Sequence, residues 1–185
     1  MIDFFIGDLS LMADVRRVGN EIKAAYPMID ALVNNAEIHA FKQRITTDGF
    51  AEMIVLSYLA PWVLSHTLQQ SLMKSGKARI VNVASETSRN HGELRLPDDL
   101  TNMSTFTVRG SSALYGKTKL LEIMFTGELA RQFSRTGFTI NALNPGFNVT
   151  GLGRELWLAS LLKPILKFFW YSAVSMVCRT FQLSP

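Results

Sequence analysis

The chain has 185 residues, of which 48% are hydrophobic and 18% charged, and this composition excludes an intrinsically disordered protein. Its net charge of +4 is not concentrated in a Lys/Arg block, so the sequence does not favour a nucleic-acid-binding protein. Cys178 is the single cysteine and the three histidines are dispersed, which excludes an internal disulfide and argues against a metal site. We therefore expect a cytoplasmic protein that binds no metal.

Hydrophobic periodicity divides the first 143 residues into alternating strands and helices. Short apolar or β-branched runs predict four strands, at residues 1–6, 29–33, 79–84 and 138–143. Apolar stripes and capping residues predict three helices, at about residues 11–25, 47–73 and 112–133, with Pro61 kinking or interrupting the second. Residues 1–6 lack the basic stretch of a signal peptide. Strands that alternate with helices pair in parallel through right-handed crossovers, so the order predicts an α/β fold.

Polar residues directly follow the predicted strands. They are Asp8, Asn34-Asn35, Ser85 and several side chains between Asn144 and Thr150. Each could be an ordinary turn residue. The carboxyl ends of parallel strands meet at one edge of a sheet, however, and ligands bind there. We therefore expect a ligand site at this edge.

Tyr115 and Lys119 lie four residues apart on the third predicted helix and therefore share one of its faces. A nearby ammonium favours the phenolate form of tyrosine, so it would lower the pKa of Tyr115 toward the working pH. That change would make Tyr115 a general acid/base. Considered alone, such a pair is more often an ordinary contact on a helix surface.

Five segments together resemble the short-chain dehydrogenase/reductase family. They are Asp8-Leu9, Asn34-Asn35-Ala36, Ile80 to Ser85, Tyr115-x-x-x-Lys119, and Asn144-Pro145-Gly146 with Thr150. They occur in the family's order and cover roughly residues 1–155. The long interval between Ser85 and Tyr115 is similar to the retinol-dehydrogenase-like branch, whose members act on apolar alcohols and carbonyl compounds.

The resemblance implies an oxidoreductase that transfers hydride between NAD(P)(H) and an apolar carbonyl or alcohol, with a role in a biosynthetic pathway as a further expectation. It implies that Ser85 polarises the substrate carbonyl, that Tyr115 donates the proton, and that Lys119 lowers the pKa of Tyr115 and holds the nicotinamide ribose. NADP(H) is favoured over NAD(H) by family frequency alone. The implied cofactor contacts are Asp8, Asn35, Tyr115, Lys119, Asn148 and Thr150.

The chain also departs from the family's pattern. Its first predicted strand matches the family's third, so the first βαβα portion is missing, together with the glycine-rich turn that binds the cofactor phosphates. No last strand is found either. The fold expected is therefore an incomplete Rossmann-like parallel sheet with flanking helices. Glu37 stands where the family has glycine, and Ser57 stands where it has an asparagine that supports a water relay.

We assign residues 1–155 to a partial Rossmann-like dehydrogenase domain and residues 156–185 to an apolar helical tail, interpreted as a remnant of a substrate lid. The alternative function is a non-catalytic truncated relative that acts as an interaction or dimerisation partner. Attachment of residues 156–178 to a membrane surface is a weaker third hypothesis. The expected partner is a small-molecule substrate, and a homo-oligomer is a further expectation. The substrate and the choice between NAD and NADP stay open.

Overall fold

The computed structural model describes residues 2–146 and 179–181. Its sheet has the order β1-β2-β3-β4, in which β1, β2 and β3 are parallel and β4 is antiparallel to β3. The strands are β1 (Ala31–Asn34), β2 (Arg79–Val83), β3 (Thr139–Asn144) and β4 (Arg179–Phe181). The parallel strands with their connecting helices confirm the predicted α/β, Rossmann-like fold class.

The helices in the described residues follow the predicted order but differ in continuity. They are α1 (Met12–Ala25), α2 (Glu52–Ile54), α3 (Ala60–Thr67), α4 (Gln69–Ser75), α5 (Asp98–Thr101) and α6 (Val108–Gln132). The predicted helix over 47–73 is thus broken, and a π-helical turn, Val55–Leu59, joins α2 to α3. Pro61 is the second residue of α3, directly after the π-helical turn, where it has no N–H to donate to the preceding turn. A 3₁₀ turn, Glu86–Asn90, follows β2.

The strand predicted over residues 1–6 is not formed in the part that the structure describes. Residues 2–8 have no strand partner, and Ile2, Phe4 and Ile6 are each more than 80% exposed. Alternating apolar residues mark a segment that fits a sheet, but a strand also needs a neighbouring strand for its backbone hydrogen bonds. The strand predicted over residues 1–6 was wrong. Among the described residues, β1 pairs only with β2, so residues 2–6 do not extend the sheet beyond β1.

The end of the sheet also differs from the prediction, which included no last strand. Residues Arg179–Phe181 pair antiparallel with β3, and Thr180 lies opposite Leu143. Three residues are too few to carry a recognisable strand pattern, so this pairing is not predictable from hydrophobic periodicity. Residues 156–178 lie outside the described residues, so the domain boundary at residue 155 and the tail remain predictions.

The main core lies between the sheet and the helices. Ile80 of β2 and Ile140 of β3 pack there with Leu72 of α4 and with Phe125 and Leu129 of α6. A second cluster joins α1 to α3. This packing fixes α6 across β2 and β3, so the first half of α6 lies near the carboxyl end of β2. No helix among the described residues is both long and apolar enough to cross a membrane.

The core assignment predicts opposite results for two neighbouring residues of α4. Leu72 is fully buried, whereas Met73 is 49% exposed. We expect Leu72→Ala to lower the free energy of unfolding by about 2–5 kcal/mol, because it leaves a cavity in the core. Met73→Ala is the matched control and should change it by less than about 0.5 kcal/mol. Urea unfolding of both variants provides the measurement, and equal losses would contradict the assignment.

Candidate active site

Lys119 lies in α6 with its ammonium group at the carboxyl end of β2, and its side chain is 1% exposed. The Nζ atom donates to the backbone oxygen of Val83 at 2.6 Å and to Oε2 of Glu122 at 2.9 Å. It also forms an ion pair with Oε2 of Glu37 at 2.6 Å. An ammonium has three N–H donors, so each N–H of Lys119 has an acceptor.

Tyr115 lies one helical turn before Lys119, and its hydroxyl donates to Oε2 of Glu37 at 3.0 Å. The ammonium of Lys119 lies 5.9 Å from the centre of the tyrosine ring. The side chain of Ser85, just past β2, lies near enough to the Tyr115 hydroxyl to affect its pKa. The ring of His39 stacks on the ring of Tyr115, with 4.6 Å between their centres. The structure therefore brings the three predicted catalytic residues, Ser85, Tyr115 and Lys119, into one cluster.

Gly116 allows α6 to approach the 3₁₀ turn closely enough for this cluster to form. A Cβ atom at this position would lie 2.8 Å from the backbone oxygen of Thr87 and 3.1 Å from that of Asn90. Both contacts are with backbone, which cannot move aside as a side chain can. The Ser85 hydroxyl also accepts a hydrogen bond from the backbone N–H of Thr87 at 3.2 Å, which caps the turn. The turn that follows β2 thus fixes the position of the Ser85 hydroxyl near Tyr115.

The electrostatics of Tyr115 differ from the sequence-based prediction. Burial raises the pKa of its hydroxyl well above the usual range, and the nearby carboxylates of Glu37 and Glu122 raise the pKa further. The nearby Ser85 hydroxyl opposes this rise in pKa. The predicted lowering of the pKa by Lys119 is therefore wrong in this conformation. The ammonium faces two carboxylates, so Tyr115 does not experience an uncompensated positive charge.

Glu122 shares the buried environment of Lys119. Burial raises the pKa of its carboxyl group to about 7, the Lys119 ammonium opposes this rise, and the charge of Glu37 adds to it. Two carboxylates against one ammonium leave an excess of negative charge, and uptake of a proton by Glu122 removes that excess. The proton balance of the cluster therefore changes near neutral pH.

Four predicted cofactor contacts, Asp8, Asn35, Asn148 and Thr150, are not part of this cluster as the structure describes it. Oδ1 of Asp8 accepts hydrogen bonds from the backbone N–H and the hydroxyl of Ser10, at 2.8 and 2.7 Å, near the start of α1. Asn35 is exposed directly after β1. Neither residue is hydrogen-bonded to the cluster among the described residues. Asn148 and Thr150 lie outside the described residues, so the cofactor contacts predicted for all four residues remain predictions.

Sequence reasoning missed the part that Glu37 and Glu122 take in the site. The sequence pattern marks Glu37 only as a departure from the family's glycine, and it does not mark Glu122. Its spacing of three residues from Lys119 was the available signal, since such pairs meet on a helix surface. Ser57 is buried in the π-helical turn, and its Oγ has no hydrogen-bond partner among the described residues. No group of His, Cys, Asp and Glu side chains in the described part of the chain could hold a metal ion.

Comparison with known proteins assigns the family. The family model described as short chain dehydrogenase matches residues 1–96, about half of the chain. The chain belongs to the short-chain dehydrogenase family. This result confirms the resemblance on which the site prediction was based, and the proteins to which the chain is similar support the retinol-dehydrogenase-like branch.

Among those proteins is human retinol dehydrogenase 14 (Homo sapiens), with 34% identity over 158 residues, covering 85% of this chain and 46% of that protein. Mouse retinol dehydrogenase 13 (Mus musculus) is 30% identical over 148 residues, covering 80% and 43%. Human polyprenol dehydrogenase is 31% identical over 172 residues, covering 89% and 51%. The chain spans about half the length of the curated relatives it matches.

Solved structures agree with this assignment. A gluconate 5-dehydrogenase from Burkholderia cenocepacia J2315, in complex with NADP and tartrate, has a TM-score of 0.56 and 25% identity, covering 80% of this chain and 52% of that one. A blue fluorescent protein from a metagenomic library, in complex with NADPH, has a TM-score of 0.59 and 25% identity, covering 79% and 53%. The likeness supports a Rossmann-like dehydrogenase fold.

The family implies a nicotinamide cofactor, but Tyr115 and Lys119, as placed here, do not fit one. All three N–H groups of Lys119 are directed at Val83, Glu122 and Glu37, so none is left for a ribose hydroxyl. The hydroxyl proton of Tyr115 is directed at Glu37 as well. The obstacle is one carboxylate, that of Glu37, which both Tyr115 and Lys119 contact.

The raised pKa of Glu122 predicts a stability that depends on pH. The folded pKa of about 7 exceeds the ordinary value of 4.5, so the folded state binds more protons between these values. The free energy of unfolding should therefore fall as pH rises from about 4.5 to about 7. We expect the free energy of unfolding of the wild-type protein to fall by about 1–3 kcal/mol over this pH range, and Glu122→Gln to abolish that fall. Urea unfolding at several pH values is the measurement. A fall of the same size in the variant would contradict the assignment.

Proposed function

We propose that this chain carries the proton-transfer part of the active site of an NADP(H)-dependent oxidoreductase that interconverts an apolar carbonyl compound and its alcohol. The observation that carries the proposal is the cluster of Ser85, Tyr115 and Lys119 at the carboxyl end of β2, in a member of the short-chain dehydrogenase family. Retinol and polyprenol, which the names of its relatives specify, are apolar alcohols. NADP(H) is supported by the two similar structures that contain NADP or NADPH.

The roles of the three residues follow from their chemistry. Ser85 has a hydroxyl that can donate a hydrogen bond to a substrate carbonyl oxygen and draw electrons from its carbon. Tyr115 would give its proton to that oxygen as general acid. Lys119 would then stabilise the phenolate with its positive charge. A nicotinamide would supply the hydride, and its binding requires that Glu37 release Tyr115 and Lys119.

Several further properties belong to the same proposal. Asp8, Asn35, Asn148 and Thr150 are proposed as cofactor contacts by their positions in the family's motifs. A cytoplasmic location is proposed because Cys178 is the only cysteine. A small-molecule substrate is the proposed partner, and a homo-oligomer is the proposed assembly. The matches to dehydrogenases favour catalysis over the alternative of a non-catalytic interaction partner.

Removal of one hydroxyl group tests the catalytic role of Tyr115. We expect Tyr115→Phe to reduce turnover of an apolar aldehyde with NADPH at least about 100-fold, because the general acid is lost. Consumption of NADPH, followed by its absorbance, is the measurement. Tyr26→Phe is the matched control, since the hydroxyl of Tyr26 bonds to Asp3 outside the cluster. Unchanged turnover in Tyr115→Phe would refute the assignment of the acid.

A further inference from the structure

We infer that Glu37 is a specificity-determining residue and acts as an internal ligand of the active site. Its carboxylate occupies the hydrogen-bonding positions of Tyr115 and Lys119 that a substrate oxygen and a cofactor hydroxyl would use. The site therefore discriminates against any ligand that cannot displace a carboxylate. This inference rests on the proposed function for its ligands, but the contact itself can be tested without them.

One oxygen atom of Glu37 makes both contacts. Oε2 accepts from the hydroxyl of Tyr115 at 3.0 Å and pairs with the ammonium of Lys119 at 2.6 Å. A phenol has a single proton to donate, and the other two N–H groups of Lys119 are directed at Val83 and Glu122. A neutral carbonyl oxygen approaching Tyr115 would thus have to replace an anion that already accepts charge-assisted hydrogen bonds, which are the stronger kind.

The segment from Glu37 to Ala40 holds the carboxylate in place. The ring of His39 stacks on Tyr115, and its Nε2 lies 3.1 Å from the hydroxyl of Ser111 in α6. Ala40 is 1% exposed and packs with Met53 and Tyr115 in one cluster. Hydrogen bonding, ring stacking and apolar packing therefore all fasten this segment against the first half of α6. Withdrawal of Glu37 alone requires a side-chain rotation, whereas withdrawal of the segment breaks all three kinds of contact.

The surroundings make this contact strong. The side chain of Glu37 is 17% exposed and that of Lys119 is 1% exposed, so solvent screens their attraction only weakly. The groups that face Tyr115 are Glu37 and His39 from the segment after β1, Ser85 after β2, and Lys119 and Glu122 from α6. Burial and the two carboxylates hold the pKa of Tyr115 above its ordinary value. Loss of the Glu37 charge should therefore make Tyr115 easier to ionise.

Two substitutions separate the charge of Glu37 from its bulk. Glu37→Gln keeps the shape and removes the charge, and Glu37→Gly removes the side chain. We expect both to lower the pH at which Tyr115 ionises, with Glu37→Gly lowering it by at least about one pH unit. The carbon NMR signal of the tyrosine Cζ measures this ionisation, and Tyr115→Phe identifies the signal. Glu21→Gln is the matched control, because Glu21 pairs with Arg17 on the exposed face of α1.

Acetate tests whether the vacated position is a carboxylate site. In Glu37→Gly, added acetate should return the Tyr115 ionisation toward higher pH, whereas the wild-type protein should not respond. The fluorescence of NADPH should report at least about 10-fold tighter binding to Glu37→Gly than to the wild-type protein or Glu21→Gln. An unchanged Tyr115 ionisation in both Glu37 variants, or no effect of acetate on Glu37→Gly, would overturn the inference. If Tyr115 ionises at lower pH in the Glu37 variants and acetate reverses this change, but no NADPH binding is seen, the inference is upheld and the proposed function is contradicted.

Discussion

The buried ammonium of Lys119 is the interaction on which the organisation of the site depends. A charge that is almost completely removed from water costs several kcal/mol unless partners replace its hydration. Its partners are the backbone oxygen of Val83 at the end of β2, Glu122 on the next turn of α6, and Glu37 after β1. One cation therefore ties α6 to two strand ends. The position of Tyr115 follows, because it lies one turn earlier on the same helix.

The same ammonium sets the charge balance that makes the site unusual. Two carboxylates share one cation; burial raises the pKa of both Tyr115 and Glu122, and the charge of Glu37 raises both further. The lysine holds the tyrosine in position without making it a stronger acid in this conformation. A glycine at position 37 would leave one carboxylate and one cation beside the phenol. A glutamate at position 37 instead of the family's glycine thus changes the electrostatics of the cluster proposed to be catalytic.

The sequence predicted the parts of this arrangement that depend on local pattern. Helical spacing placed Tyr115 and Lys119 on one face, and the helix expected at 112–133 is found as Val108–Gln132. Strand order placed Ser85 at the same edge. Features that depend on neighbouring elements were not predictable in this way. Residues 2–6 fit a strand pattern but have no neighbouring strand to pair with in the described part of the chain. The pKa of Tyr115 is raised by burial and by the carboxylates of Glu37 and Glu122, which the Tyr-x-x-x-Lys motif does not include.

A double-mutant cycle between Glu37 and Lys119 tests the central claim most directly. The free energy of unfolding is measured for the wild-type protein, Glu37→Gln, Lys119→Met and the double variant, which isolates the interaction of the two side chains. The buried contact at 2.6 Å predicts a coupling free energy of about 2–3 kcal/mol. A coupling within about 0.3 kcal/mol of zero would contradict the account, because the carboxylate of Glu37 would then not be held by the ammonium of Lys119.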